Sequence, residues 1–255
     1  MHYEASGHMD VSPEAIYKRD VVDKAGGSYS FGQQTLMLGM LRAMGYRAYA
    51  CPARANTASE ATDPIHFEPF SHVVLLVQIP TDHRAGRDSG NETYLVDVGF
   101  GLGIVRPMQV VDGEEMPSLI SPERHRLVKT HRLDPVLDET DGATAPFAEE
   151  WHLQVNAALD YSKLPEGTWR TLYQFTFQQC DLREIEIMSR MVENDPKSYF
   201  WNNLVGIIYN KGAPIGQDGP LIGVSEMVGS KVTTWKEGRS PVLRTLDDVK
   251  PRRTE

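Results

Sequence analysis

Apolar residues near the amino terminus recur with the spacing of a helix. Leucines and methionines fall at intervals of three and four between residues 36 and 44, and Gly45 follows as a natural stop. Upstream, Ser12 followed by Pro13 is typical of a helix start, so we predict a short helix through Val22. A pair of glycines then separates the two predicted helices.

After Gly45 the pattern changes to that of strands. Residues 46–56 (YRAYACPARAN) alternate, whereas residues 71–80 (SHVVLLVQIP) form a continuous apolar run. Residues 93–101 (TYLVDVGFG) repeat that apolar character, and the polar segment 81–92 before them predicts a loop. Three later segments continue the strand pattern, namely 124–133, 149–157 and 168–177.

The carboxyl-terminal third is mixed. Residues 181–194 (DLREIEIMSRMVEN) predict a helix that stops at Asp195-Pro196, and residues 198–210 fit neither pattern clearly. We predict that the tail from Lys231 onward is frayed. Helices do not alternate with strands along the chain, so the predicted fold class is α+β and not a doubly wound parallel sheet.

Composition excludes some functions. The 255 residues carry a formal net charge of −9, and a nucleic-acid surface would need a basic stripe. Cys51 and Cys180 have no CxxC partner, which fits a reducing compartment. No apolar stretch approaches the ~20 residues that span a bilayer, and the start of the chain shows no signal-peptide pattern. We therefore predict a cytoplasmic protein that binds neither nucleic acid nor a membrane, of undetermined oligomeric state.

Six of the eight histidines show no metal-site pattern. They lack ligand partners at the spacings of known metal sites, so we predict no metal site and place their side chains on the surface or in loops. These residues are His8, His66, His83, His125, His131 and His152.

Three residues could form a catalytic set. Ser30 precedes the predicted helix, where the macrodipole and free backbone N–H groups favour developing negative charge. His72 opens one apolar strand, and Asp97 lies within another between two valines. A buried aspartate needs a partner, and a histidine on a neighbouring strand would supply one while its second ring nitrogen faces the nucleophile.

Each of these residues also has an ordinary structural interpretation. A serine before a helix is most often a cap, and a histidine at a strand start is most often half-buried without further role. An aspartate in a strand can pair with a local arginine. Spacing alone therefore does not establish Ser30, His72 and Asp97 as a catalytic set.

Several stretches together resemble the motifs of one known family. Residues 26–34 (GGSYSFGQQ) resemble the segment that carries its nucleophile, and residues 44–46 resemble the end of the following helix. The run from His72 to Val77 resembles the family's histidine motif, and residues 96–101 (VDVGFG) match its aspartate motif. The motifs also keep their order, so the chain is identified as a fungal-like member of the arylamine N-acetyltransferase family.

The resemblance implies a ping-pong reaction. A nucleophile takes the acetyl group from acetyl-CoA, CoA leaves, and the acetyl-enzyme passes the group to an arylamine, arylhydrazine or arylhydroxylamine. The resemblance assigns the nucleophile position to Ser30, its activation to His72 and the orientation of the histidine to Asp97. Implied contacts with the cofactor or the aryl substrate fall on Phe31, Gly99, Phe100 and Gly101.

The resemblance also implies an architecture. The family combines an N-terminal helical bundle, a β-barrel and an α/β lid around a cysteine-protease-like core. On this chain these parts correspond to residues 1–50, 51–165 and 166–255. Only 29 residues precede Ser30, so we expect the first part to be a remnant that lacks most of the family's first helical domain.

The chain departs from the family pattern at chemically important positions. Ser30 stands where the family has its catalytic cysteine, and this alignment requires one extra residue upstream. Ala25 stands where the family has an arginine before the two glycines. Glu68 lies where the family approaches CoA with small residues, and its charge would repel phosphate. The chain also ends soon after residues 242–248, where the family usually continues into a helix.

The serine divides the functional hypotheses. A cysteine, with a pKa near ~8.5, can be held as a thiolate by a histidine, whereas a serine must lose its proton during attack. The chain could be a working acyltransferase that uses Ser30. It could instead be a degenerate homologue that binds CoA or an aryl ligand without turnover. A serine hydrolase is a third hypothesis, disfavoured because no G-x-S-x-G elbow surrounds Ser30.

Overall fold

The structure is a computed structural model. It describes residues 9–58, 63–80, 90–119, 123–131, 149–156, 168–212, 219–236 and 241–246. No helix among these residues is long and apolar enough to cross a membrane.

Four α-helices lie within the described residues. Helix α1 (Pro13–Ile16) is capped by Ser12 and continues as a π-helical segment over Tyr17–Val22. Helix α2 (Ser30–Ala43) ends before Gly45, whose φ of 88° suits a glycine stop. Helix α3 (Leu182–Asn194) begins with a capping box, and helix α4 (Tyr199–Asn202) is a single turn.

Twelve strands form two antiparallel sheets in the described part of the chain. The larger sheet has the order β4-β3-β2-β1-β8-β7-β6-β5, and the smaller has the order β12-β11-β10-β9. The strands of the larger sheet are β1 (Arg47–Ala55), β2 (His72–Pro80), β3 (Asn91–Val96), β4 (Met108–Gln109), β5 (Glu115–Pro117), β6 (Arg124–His131), β7 (Glu149–Asn156) and β8 (Arg170–Phe175). Those of the smaller sheet are β9 (Val205–Lys211), β10 (Leu221–Val228), β11 (Lys231–Lys236) and β12 (Val242–Thr245).

The larger sheet forms a nearly closed barrel. Its two edge strands, β4 and β5, follow each other along the chain and are joined only by residues 110–114. So short a connection keeps the two edges of the sheet close together. The sheet therefore curls around an interior that its own side chains fill.

Strand β2 is buried on both faces, which explains its continuous apolar sequence. Val73 and Leu75 pack against helices α2 and α3 in one apolar cluster. Val74 and Leu76 point into the barrel and join a second cluster there. The barrel wall thus supports the helix that begins with Ser30, and this contact fixes the helix against β2.

The fold class predicted from the sequence is confirmed, and so are the main helices and the barrel strands. The prediction for the tail from Lys231 is wrong over its first part, because β11 and β12 pair there and extend the smaller sheet. Residues 247–255 lie outside the described residues, as do 81–89 of the predicted loop. Residues 91–92 of that loop belong to β3. The boundaries predicted at residues 50 and 165 remain predictions.

Candidate active site

Ser30 is the first residue of helix α2. Tyr29 takes the N-cap position in extended backbone, and the Tyr29 hydroxyl lies 2.6 Å from Ser189 Oγ on helix α3. The Tyr29 ring packs edge-on against Phe31. This buried tyrosine fixes the entry of the chain into α2, so the nucleophile candidate sits at the positive end of a 14-residue helix.

His72 and Asp97 form a buried pair. His72 Nε2 lies 2.9 Å from Asp97 Oδ2, and both side chains are almost entirely shielded from solvent. His72 is the first residue of β2, as predicted. Asp97 does not lie within a strand as we expected, because β3 ends at Val96 and the chain bends there. That bend frees the carboxylate to turn toward His72.

The second carboxylate oxygen of Asp97 is held by three donors. Gln34 Nε2 donates a hydrogen bond of 2.6 Å to Asp97 Oδ1. The backbone N–H groups of Gly99 and Phe100 donate to the same oxygen over 2.9 and 3.1 Å. Together with His72, these contacts supply the hydrogen bonds that a buried carboxylate requires.

The electrostatics favour an ionised Asp97. Burial by itself would raise the pKa of Asp97, but the charge of His72 and the hydrogen bonds from His72 and the Gly99 N–H hold this pKa below its ordinary value. An ionised carboxylate only accepts hydrogen bonds, so His72 Nε2 must carry the proton. When the ring is neutral, the lone pair therefore lies on Nδ1, the nitrogen that can act as a base.

Two aromatic rings hold the imidazole in place. The His72 ring lies 5.2 Å from the Phe100 ring and 5.1 Å from the Tyr173 ring, measured between centroids. Phe100 and Tyr173 also contact each other at 5.0 Å. Burial, followed by the charge of Asp97, raises the pKa of Tyr173, so its hydroxyl stays protonated beside the carboxylate.

The segment after Asp97 approaches Ser30 closely. A Cβ atom on Gly99 would lie 2.5 Å from Ser30 Cα, so only glycine fits against the start of α2. Gly101 has a φ of 96°, and its carbonyl accepts a hydrogen bond from the Tyr209 hydroxyl on β9. This segment therefore links the nucleophile helix to the smaller sheet.

Ser30 and His72 line one cavity of about 500 Å³. Gly99, Phe100 and Ile207 form part of its wall. Phe100 and Ile207 also line a neighbouring cavity of about 440 Å³, which has Asp97 and Gly101 on its wall. Phe100 therefore stands between two spaces, each large enough for part of a small molecule.

The structure brings most of the predicted site residues together and excludes one. Ser30, His72, Asp97, Gly99, Phe100 and Gly101 converge at these two cavities. Phe31 does not: its side chain is fully buried in the helical core and lines neither cavity. A ligand contact by Phe31 therefore does not fit its position.

Sequence reasoning missed two residues of the site. Gln34 lies one helical turn after Ser30, and Tyr173 comes from the distant strand β8. An amide four residues after the nucleophile was a usable signal, because positions i and i+4 share a helix face. No local pattern marks Tyr173, whose place depends on the pairing of β8 with β1.

Two of the other histidines are buried on strands of the barrel, which corrects the prediction that they lie on the surface or in loops. His125 is fully buried in the barrel, and burial lowers its pKa to about 4. His152 is 3% exposed, and its Nε2 lies 2.8 Å from Glu150 Oε1. The described residues contain no group of histidine, cysteine and acidic side chains that could hold a metal ion.

The chain matches the N-acetyltransferase family over residues 1–214. Its relatives include arylamine N-acetyltransferases and N-malonyltransferases, and the solved structures that it resembles include arylamine N-acetyltransferases. The chain therefore belongs to the arylamine N-acetyltransferase family, which confirms the resemblance read from its motifs.

Individual relatives have low sequence identity to this chain and are longer than it. The N-malonyltransferase FDB2 of Gibberella moniliformis is 28% identical over 210 residues, covering 78% of this chain and 54% of that protein. An arylamine N-acetyltransferase of Mycobacterium tuberculosis is 28% identical over 225 residues, covering 87% and 65%. The chain thus spans only about half to two thirds of the length of these relatives.

Solved structures share the fold. The arylamine N-acetyltransferase structure from M. tuberculosis aligns with a TM-score of 0.65 and 24% identity, covering 94% of this chain and 71% of that one. That of Mycobacterium marinum in complex with CoA aligns with a TM-score of 0.65 and 22% identity, covering 94% and 70%. Both likenesses support the α+β architecture.

Proposed function

We propose that this chain is an acyltransferase that moves an acetyl group from acetyl-CoA to an arylamine or arylhydrazine through an ester on Ser30. Ser30 Oγ attacks the thioester carbonyl carbon while its proton passes to His72 Nδ1. The carbon–sulfur bond breaks, and the CoA sulfur takes that proton as it leaves. The amine then attacks the ester, gives up a proton, and returns the Ser30 hydroxyl.

One observation carries the proposal. The 2.9 Å contact between His72 and Asp97 orients the imidazole, and the cavity that His72 lines also contains Ser30 at a helix start. Backbone N–H groups in the first turn of a helix have no helical acceptor and can stabilise a developing oxyanion. A candidate nucleophile and a base thus share one space of small-molecule size, and Asp97, which lines the neighbouring cavity, orients the base.

The serine makes the reaction slow. A thiolate–imidazolium pair exists before substrate binds, but a hydroxyl cannot be ionised in advance by His72. Loss of a nucleophile from a catalytic triad costs about 10⁴- to 10⁶-fold in rate. We expect the acetyl-transfer rate of Ser30→Cys to exceed that of the unmodified chain by a factor within or below that range.

The smaller sheet acts as the lid in this proposal. Ile207 on β9 and Glu226 on β10 line the Ser30 cavity. They support a role for residues 166–255 in covering bound substrate.

Cys51 and Cys180 are both buried free thiols, which supports the proposed cytoplasmic location because a reducing compartment keeps thiols free.

CoA release from acetyl-CoA in the presence of an arylamine tests the proposal. The unmodified chain, Ser30→Cys and Ser30→Ala are compared, and malonyl-CoA is a second donor because one relative is an N-malonyltransferase. We expect activity in the order Ser30→Cys, unmodified chain, Ser30→Ala. CoA binding without release in both Ser30→Cys and the unmodified chain would instead establish a binding protein. Release that needs no amine would indicate a hydrolase.

A further inference from the structure

Glu68 places a carboxylate on the wall of the Ser30 cavity. Its side chain is half-buried and lines the same space as Ser30 and His72. The backbone fixes this position: Glu68 N donates to Ala55 O over 3.0 Å, and the neighbouring residue Phe67 forms a bridge with Asn56. These backbone contacts therefore hold Glu68 at a fixed place on the cavity wall.

The charge of Glu68 is poorly compensated. Burial raises the pKa of Glu68, the Ser71 hydroxyl lowers it, Asp195 raises it further and His66 lowers it. No lysine or arginine in the described part of the chain forms an ion pair with Glu68. A half-buried carboxylate with so little compensation favours a positively charged partner.

Arg170, a cation on the same cavity wall, is already offset by other groups. Its charge lowers the pKa of Glu123 and that of Glu226, so two carboxylates share it. Arg170 is not among the groups that shift the pKa of Glu68. The described charged side chains on the cavity wall are one arginine and two glutamates, so the wall favours cations.

We propose that Glu68 binds the protonated amino group of an acceptor that carries a second, cationic amine, so that the cavity selects aminoalkyl-substituted arylamines over neutral or anionic ones. A charge-assisted hydrogen bond in a half-buried site is stronger than a neutral one. We expect a ~10- to 100-fold preference in affinity for the cation. Acetyl transfer to such an acceptor rests on the proposed function, whereas the binding preference can be measured without turnover.

Three para-substituted anilines of similar shape test the preference. Para-aminobenzylamine is cationic near neutral pH, para-toluidine is neutral and para-aminobenzoate is anionic. Equilibrium binding of each to the full chain is measured by calorimetry without an acyl donor. We expect affinity to fall in that order. Added salt should weaken the binding of the cation, strengthen that of the anion and leave that of the neutral compound unchanged. Equal affinities for the three compounds overturn the proposal. A preference for the anion also overturns it and would assign the selectivity to Arg170.

Variants locate the effect. Glu68→Gln should bind the cation and the neutral compound equally, while Glu68→Asp should keep a reduced preference. Glu14 is exposed on α1, so Glu14→Gln is the matched control and should behave as the unmodified chain does. An unchanged preference in Glu68→Gln overturns the assignment. Should Glu68→Gln fail to fold, Glu68→Asp and the salt dependence decide. A cation preference without any acetyl transfer leaves the Glu68 assignment standing and rejects the proposed function.

Discussion

Gln34 Nε2 donates a hydrogen bond of 2.6 Å to Asp97 Oδ1, and both side chains are buried. This contact joins the helix that begins with Ser30 to the carboxylate that orients His72. The helix that carries Ser30, the proposed nucleophile, and His72, its proposed base, are thus held by one connected set of bonds, although the two residues lie far apart in sequence. A disturbance of Gln34 should affect both.

Replacing Gln34 by leucine should weaken the site and the fold together. Asp97 loses a donor in a buried position, so its pKa rises and the unfolding free energy falls by about 1–3 kcal/mol. In the Ser30→Cys background, the acid limb of the acylation rate should move to higher pH. Urea unfolding and a pH–rate profile measure the two effects. The exposed Gln178 supplies the control Gln178→Leu, and a Gln34→Leu variant indistinguishable from it would contradict this account.

Gly99 is expected to tolerate no side chain. A Cβ atom would lie 2.5 Å from Ser30 Cα, so Gly99→Ala must displace the nucleophile or the segment after Asp97, at a cost of about 1–3 kcal/mol. Thermal unfolding and acylation kinetics in the Ser30→Cys background measure the consequence. Both the midpoint temperature of unfolding and the acylation rate should fall.

Gly39 provides the matched control for Gly99. It lies within the same helix α2 as Ser30, and a Cβ atom there would meet nothing within 4 Å. Gly39→Ala should stabilise the chain by about 0.5–1 kcal/mol because alanine restricts the unfolded chain and favours the helix. If Gly99→Ala is as stable and as reactive as Gly39→Ala, the close approach to Ser30 has no consequence.

His125 should give the chain a marked loss of stability in mild acid. Burial lowers the pKa of His125 to about 4, below the ordinary 6.5, so the unfolded chain binds the proton more readily. The stabilising contribution is complete above pH 6.5 and is lost as the pH falls toward 4, by up to about 3 kcal/mol. Urea unfolding over this range measures it.

Replacement of His125 isolates its contribution. The half-buried carboxylates Glu68, Glu123 and Glu226 have raised pKa values and oppose the trend, because their protonation favours the folded chain. The difference between the unmodified chain and His125→Leu removes their common effect and should grow as the pH falls. The exposed His131 on the same strand gives the control His131→Gln. An equal pH dependence in His125→Leu and the unmodified chain would show that burial does not perturb this histidine.

The elements of the site could be predicted where a local pattern determines them. The spacing of apolar residues and the stop at Gly45 predicted α2, and the continuous apolar run of residues 71–80 predicted a strand. Predictions from such patterns agree with the structure because each face of a helix or strand meets one environment over its whole length. The motifs around Ser30, His72 and Asp97 then identified the family and three residues that converge in space.

The parts that could not be predicted depend on contacts between distant segments. The pairing of β8 with β1 brings Tyr173 to His72, and no property of the surrounding residues indicates that register. Phe31 resembled a ligand-binding residue by motif, but its position in α2 points its ring into the core. β11 and β12 were missed because polar, charged strands in a small sheet lack a continuous apolar run.

The acetyl-enzyme is the species that tests the proposed mechanism most directly. The chain is mixed with acetyl-CoA without an acceptor and quenched in acid, and its peptides are examined by mass spectrometry, with Ser30→Cys and Ser30→Ala treated alike. The account predicts one acetyl group on the peptide that contains residue 30 in the unmodified chain, faster and more complete labelling in Ser30→Cys, and none in Ser30→Ala. Absence of the acetyl group from residue 30 in both the unmodified chain and Ser30→Cys would contradict it.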